Sequence, residues 1–235
     1  MKHYPMECHI LPACMMMVWC IFSACGNRSG YETAGIFEMT ETLVTAELSG
    51  KVEKLEVREG HPVAKGQPVG YIDSTLLYMK KMQLLAVRKA MWACRPDCPN
   101  EADSTFNFRL NLINEKLRKC RIVNPADGTV ARKYAQTKDR VIAGAPLYKI
   151  VDTRHLFLKV YLTPKQADKM TTGREVTVRL TLPDGSEKFC RGAVAWISDK
   201  AESLTQDEDH LLYAVKIAVD NTDGDIRAGM YGYVK

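Results

Sequence analysis

The sequence lacks the short motifs by which many hydrolases and nucleotide-dependent enzymes are recognised. It contains no Gly-x-Ser-x-Gly, no His-Glu-x-x-His and no Gly-rich phosphate-binding loop ending in Lys-Ser/Thr. It also lacks a dense basic run, because 33 basic and 28 acidic residues are interspersed and leave a formal net charge of +5. We therefore predict a non-enzyme that holds no cofactor and binds no nucleic acid.

No apolar run reaches the roughly 20 residues of a conventional transmembrane helix. The most apolar segment, residues 10–24, follows Lys2 and ends at Phe22-Ser23-Ala24-Cys25-Gly26. Residues 1–24 therefore predict an export signal. The small residues before Cys25 resemble the lipidation motif of bacterial lipoproteins, which predicts a lipid on Cys25 and a polar tether over residues 25–42. An ordinary cleaved signal or a short signal anchor is the alternative.

Cysteine and histidine are too sparsely placed to predict a metal site. Removal of the signal leaves five cysteines without a Cys-x-x-Cys motif: Cys25, Cys94, Cys98, Cys120 and Cys190. His61, His155 and His210 are scattered, and no ligand set has metal-binding spacing. Cys94 and Cys98 flank an Arg-Pro-Asp turn and could form a disulfide in an oxidising compartment.

One stretch of the sequence occurs twice. Residues 50–72 and 128–150 align without a gap at an offset of 78, with six identities: Gly50 and Gly128, Val52 and Val130, Val63 and Val141, Gly66 and Gly144, Pro68 and Pro146, Ile72 and Ile150. Short apolar-polar alternations broken by glycine and proline are typical of strands with tight turns. Two copies of a small β unit usually pack together, because neither buries its apolar face alone. We predict scaffold turns at Gly50, Gly60, Gly66, Pro68, Gly128, Gly144 and Pro146.

Residues 74–120, between the two copies, have helical periodicity. In the first segment apolar residues recur every seven positions, at Leu77, Leu84 and Met91. In the second they follow a 4-3-4-3 spacing, at Phe106, Leu110, Ile113, Leu117 and Cys120. Asp73 or Ser74 can cap the first helix, and Asp103 or Ser104 the second. The pattern predicts two antiparallel helices whose tip is a candidate partner-docking site: Cys94, Arg95, Asp97, Cys98 and Asn100.

Strand patterns return after residue 152. Alternating apolar residues over 156–162, 176–182, 188–197, 212–219 and 229–234, with a helical turn started by Thr163-Pro164, indicate a small antiparallel β-barrel over 153–235. Gly229 predicts one further turn. The acidic connection 199–210 has no glycine and lacks the alternation of a calcium loop, so we interpret it as a solvated loop.

The order of these segments resembles the HlyD-like membrane fusion protein family, the periplasmic adaptors of bacterial efflux and secretion systems. The likeness covers about residues 43–235. It rests on the first copy of the repeat, on Asn124-Pro125-Ala126-Asp127-Gly128, and on Val219-Asp220-Asn221-Thr222-Asp223-Gly224 with Arg227-Ala228-Gly229-Met230-Tyr231. The resemblance implies a mainly β fold with a split lipoyl-like (barrel-sandwich hybrid) domain over 43–73 plus 121–152, an α-helical hairpin over 74–120, and the β-barrel.

The same resemblance implies a periplasmic adaptor that is lipid-anchored to a bacterial membrane, with the inner membrane favoured. Its implied partners are an inner-membrane transporter, a TolC-like outer-membrane channel and further copies of itself. Because the chain stops at the barrel, the membrane-proximal domain of many adaptors is expected to be missing. Adaptors without that domain resemble those that serve ABC-type or major-facilitator exporters, and we favour the ABC type.

Two alternatives remain open from the sequence. Met79-Lys80-Lys81-Met82 resembles the modified-lysine motif of lipoyl and biotinyl carrier domains. In a carrier the second half follows that turn at once, whereas here a long helix-patterned segment intervenes. The other alternative is a metal-binding efflux adaptor or chaperone, although packing in helices explains the methionines more simply.

Overall fold

The structure, a computed structural model, describes residues 33–94, 101–203 and 211–235. Within them the chain forms twelve strands and three helices. The strands are β1 (Thr33–Thr45), β2 (Gly50–Leu55), β3 (Pro62–Val63), β4 (Pro68–Ile72), β5 (Arg121–Val123), β6 (Gly128–Lys133), β7 (Arg140–Val141), β8 (Pro146–Leu162), β9 (Glu175–Thr181), β10 (Glu187–Ser203), β11 (Leu211–Asp220) and β12 (Tyr231–Val234). The helices are α1 (Thr75–Cys94), α2 (Glu101–Lys119) and α3 (Pro164–Ala167). The fold is mainly β with an inserted helical pair, as the sequence predicts.

The two sequence copies form equivalent halves of one domain. Strand β2 pairs with β4 in the first half as β6 pairs with β8 in the second, and the halves join through β2–β7 and β3–β6. Gly50 lies opposite Val141, and Gly128 lies opposite Val63. Gly128 is the equivalent of Gly50 in the second copy, and Val63 is the equivalent of Val141 in the first copy, so the two pairs correspond to each other. The halves are therefore related by an approximate twofold axis, and neither half completes its strand pairing alone.

Each domain has its own hydrophobic core. In the split domain the equivalent residues Val52, Val130, Ile72 and Ile150 are at most 2% exposed and belong to one buried cluster. A separate cluster fills the barrel and includes Phe37, Leu158, Val178 and Ile217. Burial of such side chains stabilises each domain by about 1.5–3 kcal/mol per residue.

Gly50 and Gly128 provide space and do not form turns, which corrects the prediction for these two residues. Each is the first residue of a strand, where the chain passes close to its neighbour. A Cβ on Gly50 would lie 2.5 Å from Cγ2 of Ile72, and one on Gly128 would lie 2.6 Å from the carbonyl oxygen of Val151. The other four glycines that were predicted as turns have positive φ: Gly60, Gly66, Gly144 and Gly229. Pro68 and Pro146 begin β4 and β8.

The barrel is a closed antiparallel ring of six strands, in the order β1, β12, β9, β10, β11 and β8, with β1 also paired to β8. Four of these strands lie within the predicted barrel segment, β8 enters it from residue 146, and β1 precedes it. Residues 33–42 were predicted as tether, and this prediction is wrong because they form part of β1. Phe37 is 1% exposed in the barrel core, and β1 pairs with the otherwise open edges of β8 and β12.

The long strands β1 and β8 connect the two domains. Each strand runs through both domains, and the two strands pair with each other in both. Their register shifts between the pairs Met39–Leu156 and Glu41–Val151, so residues 152–155 bulge opposite Thr40. The barrel holds this bulge through Asn221, whose amide nitrogen Nδ2 donates to the carbonyl of Thr153 at 2.9 Å. We call residues 152–155 the interdomain bulge.

Candidate partner-binding arm

The helical pair leaves the split domain where its two halves meet. Strand β4 ends immediately before α1, β5 begins immediately after α2, and these two strands pair with Tyr71 opposite Arg121. The backbone N–H of Ile72 donates to the carbonyl of Cys120 at 2.8 Å. The two ends of the insertion are therefore held side by side, and the pair projects as one arm.

Asp73, one of the two predicted caps, bonds to the first residue of α1. A carboxylate oxygen of Asp73 accepts the backbone N–H of Thr75 at 2.9 Å. Hydrogen bonds from the side chain and then the backbone of Thr75 hold the pKa of Asp73 below its ordinary value. A carboxylate at the N-terminal end of a helix also interacts favourably with the helix dipole. The second helix begins at Glu101, so the predicted caps Asp103 and Ser104 lie inside it and are wrong.

The two helices contact each other along a seam that differs from the prediction at one position. On α2 the seam uses the predicted apolar residues, of which Phe106 is 9% exposed. On α1 Leu77 and Leu84 are half-buried, whereas Met91 is 55% exposed and lies outside the seam. Arg88 occupies that level instead, with its guanidinium carbon 4.6 Å from the centroid of the Phe106 ring and 5.0 Å from that of Trp92. These contacts place the end of α1 beside the start of α2, which is an antiparallel arrangement.

The side of α1 opposite the seam is apolar and exposed. We call it the outer face, and it consists of Met79, Met82, Ala86, Ala90 and Ala93. Met79 and Met82 are 62% and 50% exposed. A helix on a protein surface normally presents charged and polar residues on the side away from its packing partner. The outer face is one of several exposed apolar surfaces of the arm, because Leu76, Trp92 and Phe108 are also 65%, 58% and 70% exposed.

Sequence reasoning did not identify this face, although a signal was present. Helix α1 has apolar residues around most of its circumference and no acidic residue at all. The heptad pattern assigned one apolar stripe to the seam and left the others without a role. The candidate tip of the arm can be followed only to Cys94, the last residue of α1. Arg95, Asp97, Cys98 and Asn100, with the proposed Cys94–Cys98 disulfide, and the lipidation residue Cys25 lie outside the described residues.

The two candidate carrier lysines are not at a hairpin turn between the halves. Lys80 and Lys81 lie within α1, and Lys81 is half-buried. In the described part of the chain, no group of three or more His, Cys, Asp and Glu residues is arranged to hold a metal ion. Cys120 is 4% exposed at the base of the arm, and burial raises the pKa of its thiol. The two lysines therefore do not occupy the hairpin-tip position that a carrier domain requires.

A cleft of about 570 Å³ lies between the split domain and the interdomain bulge, which line it together. His155 Nδ1 lies 2.9 Å from a carboxylate oxygen of Asp152. A hydrogen bond with Asp152 and its negative charge raise the pKa of His155. Burial acts to raise the pKa of Asp152, but the hydrogen bonds from His155 and from two backbone N–H groups hold it below the ordinary value. Sequence reasoning identified only an isolated histidine at this position and did not predict the pair.

A comparison with protein families gives the decisive observation. Residues 41–153, which contain both halves of the split domain and the arm, match the family described as "RND MFP, barrel-sandwich hybrid domain". These residues form the barrel-sandwich hybrid domain of a membrane fusion protein. The resemblance to HlyD-like membrane fusion proteins that the sequence predicts is thereby confirmed. No curated protein sequence matches the chain.

Solved structures share the membrane fusion protein fold at low sequence identity. A MacA-MexA chimeric protein containing the Pseudomonas aeruginosa MexA α-hairpin domain is 17% identical, with a TM-score of 0.65 over 87% of this chain and 80% of that one. The membrane fusion protein Spr0693 from Streptococcus pneumoniae R6 is 18% identical, with a TM-score of 0.63 over 88% and 98%. MacA from Actinobacillus actinomycetemcomitans is 19% identical, with a TM-score of 0.57 over 87% and 77%. At these identities the likeness concerns the fold.

The described part of this membrane fusion protein has no helix with the length and apolar character needed to cross a bilayer.

Proposed function

We propose that the protein is a periplasmic adaptor of a bacterial efflux or secretion system. It links an inner-membrane exporter, with an ABC-type transporter favoured, to an outer-membrane channel or another partner. One observation carries this proposal: an arm with an exposed apolar face projects from the junction of a split barrel-sandwich domain. The role is structural coupling without catalysis or a cofactor, and the energy for transport comes from the exporter.

The dimensions and attachment of the arm support a docking role. Helix α1 has 20 residues and is therefore about 30 Å long. Both ends of the arm are fixed by hydrogen bonds to the split domain, so a load at the tip is transmitted to the domain. The split domain and the barrel supply two further rigid surfaces that can contact the transporter and neighbouring copies. A ring of copies requires repeated heterologous contacts of this kind.

The proposed location follows from the N-terminal segment. A lipid on Cys25, after removal of residues 1–24, would hold the adaptor at the periplasmic face of a membrane, with the inner membrane favoured. Several acyl chains bind a membrane far more firmly than one, because each buried CH₂ contributes about 0.8 kcal/mol. Since β1 begins at Thr33, the tether in this proposal spans residues 25–32.

The experiment is a cross-linking pull-down from native membranes with two forms of the protein. One is the full chain, and the other lacks residues 75–119, with the ends of β4 and β5 joined by a short turn. The full chain is expected to recover a transporter and an outer-membrane channel. The shortened chain is expected to lose the channel and to retain the transporter, because its two β domains are unchanged.

A Cys25→Ser variant provides the control for the lipid anchor. It is expected to move from the membrane fraction to the soluble fraction while its β domains stay folded. Failure of the full chain to recover either a transporter or a channel would overturn the adaptor proposal. An unchanged membrane association of Cys25→Ser would overturn the lipid anchor alone.

A further inference from the structure

The outer wall of the barrel carries exposed aromatic side chains, although the barrel core is aliphatic. Among the described residues of the buried barrel cluster, Phe37 alone is aromatic, and the others are leucine, isoleucine and valine. On the outer side of the wall, Tyr231 is 62% exposed and Ile36 is 44% exposed. Exposed apolar side chains that lie singly are common, but a contiguous group of them marks a surface that contacts another molecule.

The strand register places four such residues side by side on this wall. Ile36 on β1 lies opposite Tyr231 on β12 and opposite Lys159 on β8, so these three side chains share one face of the sheet. Tyr233 and Tyr161 lie two residues further along their strands and therefore point to the same face. The face borders a groove of about 320 Å³. We call the four residues the tyrosine patch: Ile36, Tyr161, Tyr231 and Tyr233.

Two basic side chains lie against the rings of this patch. The Nζ atom of Lys159 is 5.3 Å from the centroid of the Tyr161 ring. The guanidinium carbon of Arg179 is 4.8 Å from the centroid of the Tyr233 ring. Tyrosine, lysine and arginine each combine an apolar body with a polar tip. Such side chains are suited to the headgroup region of a bilayer, where one end is apolar and the other is hydrated.

The proposed lipid anchor connects directly to this wall. Cys25 lies eight residues before Thr33, the first residue of β1. Eight residues span at most about 29 Å when they are fully extended. Ile36 lies three residues beyond Thr33, whereas Val44, a residue of the split-domain core, lies eleven residues beyond it. The tyrosine patch is therefore much closer along the chain to the anchored lipid than the split domain is.

We propose that the tyrosine patch lies in the headgroup region of the leaflet that holds the lipid on Cys25. The rings would bury apolar area, and Lys159 would bind lipid phosphates. Because Glu38 pairs with Lys216 and Glu187 with Arg179, burial of apolar area supplies most of the binding and charge adds to it. The anchor raises the effective concentration of the patch at the bilayer, so a weak second contact is sufficient. This inference rests on the proposed function, in which Cys25 carries lipid.

The test is photo-cross-linking of the full, processed chain in its native membranes and in vesicles of phosphatidylethanolamine with a minority of phosphatidylglycerol. A photoreactive phenylalanine analogue replaces Tyr231, and mass spectrometry identifies the adducts. The matched control carries the analogue at Phe189, which is 64% exposed on β10, the strand opposite β1 in the six-stranded ring. In both settings the Tyr231 position is expected to yield about fivefold more phospholipid adduct than the Phe189 position.

Two charge-reversed variants measure the contribution of Lys159. Lys159→Glu changes the groove beside the patch, and Arg191→Glu changes an exposed residue on β10. Both variants alter the net charge equally. In the vesicles, Lys159→Glu is expected to lower the phospholipid adduct at Tyr231 about fivefold, because anionic lipid attracts a basic residue near its surface. Arg191→Glu is expected to lower it less than about twofold, because its charge is remote from the bilayer and screened. Circular dichroism and thermal unfolding should confirm that both variants are folded.

The outcomes separate this inference from the adaptor proposal. Equal phospholipid yields at Tyr231 and Phe189 overturn the inference, and so does an equal loss in both charge-reversed variants. An adduct in native membranes with a second copy or with another protein, in place of phospholipid, overturns it as well. The mass of the N-terminal peptide reports the lipid on Cys25 independently. Absence of that lipid overturns both the anchor and this inference, whereas the pull-down tests the adaptor role without either.

Discussion

Asn124 is buried, and its side chain joins the two halves of the split domain. Its nitrogen Nδ2 donates to the carbonyls of Ala64, in the first half, and Ala126, in the second, at 3.1 and 2.5 Å. Its oxygen Oδ1 accepts the hydroxyl of Tyr148 at 3.0 Å. Burial raises the pKa of Tyr148 to about 12, so this hydroxyl remains a donor at neutral pH. The amide therefore closes the domain through partners that lie 60 and 24 residues away in sequence.

Replacing Tyr148 with phenylalanine is expected to lower the free energy of unfolding by about 1–3 kcal/mol. The substitution removes the donor to Oδ1 of Asn124 and leaves that oxygen buried. Urea unfolding followed by circular dichroism measures the change. Asn111→Ala, an exposed asparagine on α2, is the control and should change stability by less than about 0.5 kcal/mol. A Tyr148→Phe protein as stable as the original would show that the hydrogen bond does not stabilise the domain.

The protonation of His155 is expected to depend on Asp152. Because the pKa of His155 is above its ordinary value of 6.5, its pairing with Asp152 stabilises the bulge below pH 6.5 and is lost as the pH rises through the raised pKa. Asp220 on β11 acts in the same direction, and Arg154 opposes both. Titration of the His155 ring protons by NMR should give a lower pKa in Asp152→Asn.

A remote carboxylate tests whether that shift is local. Asp168 follows α3 at the other end of β8, and Asp168→Asn should leave the pKa of His155 unchanged. An equal fall in both variants would indicate a general charge effect and would contradict the specific pairing.

At the scale of secondary structure, sequence periodicity predicted the strands, the helices and their order. Periodicity failed where the structure of a segment depends on contacts with residues that are distant in sequence. Residues 33–42 look like a polar tether because Thr and Glu interrupt their apolar pattern, and only the pairing with β8 and β12 makes them a strand. Arg88 replaces Met91 in the seam because its guanidinium stacks on Phe106, a contact that a hydrophobic pattern does not include.

Because β1 belongs to the barrel, alanine substitutions at two adjacent positions should lower the free energy of unfolding by different amounts. Phe37 is 1% exposed, whereas its neighbour Ile36 is 44% exposed on the outer side of the same strand. Phe37→Ala should lower the free energy of unfolding by about 3–5 kcal/mol, because it leaves a cavity in the barrel core. Ile36→Ala is the matched control and should cost less than about 1 kcal/mol. Equal and small costs at both positions in urea unfolding would restore the tether interpretation.

At the scale of the whole molecule, the two β domains are connected by continuous strands and the arm is attached at one point. Strands β1 and β8 run from one core into the other, so the domains share backbone hydrogen bonds across the interdomain bulge. None of the described side chains between residues 75 and 119 belongs to either buried core. Its helices bury their apolar residues mainly against each other. The two main cores of the described structure therefore form without side chains of the arm.

This separation predicts that the arm can be removed without unfolding the rest. Residues 75–119 can be replaced by a two-residue Asn-Gly turn, because the N–H of Ile72 already bonds to the carbonyl of Cys120 at 2.8 Å. The shortened chain is expected to be monodisperse on gel filtration, with a thermal midpoint within a few degrees of the full chain. A control that also deletes β4 should unfold, since Val69 and Ile72 belong to the core of the split domain. Aggregation of the first variant would show that the arm supports the fold as well as carrying the binding surface.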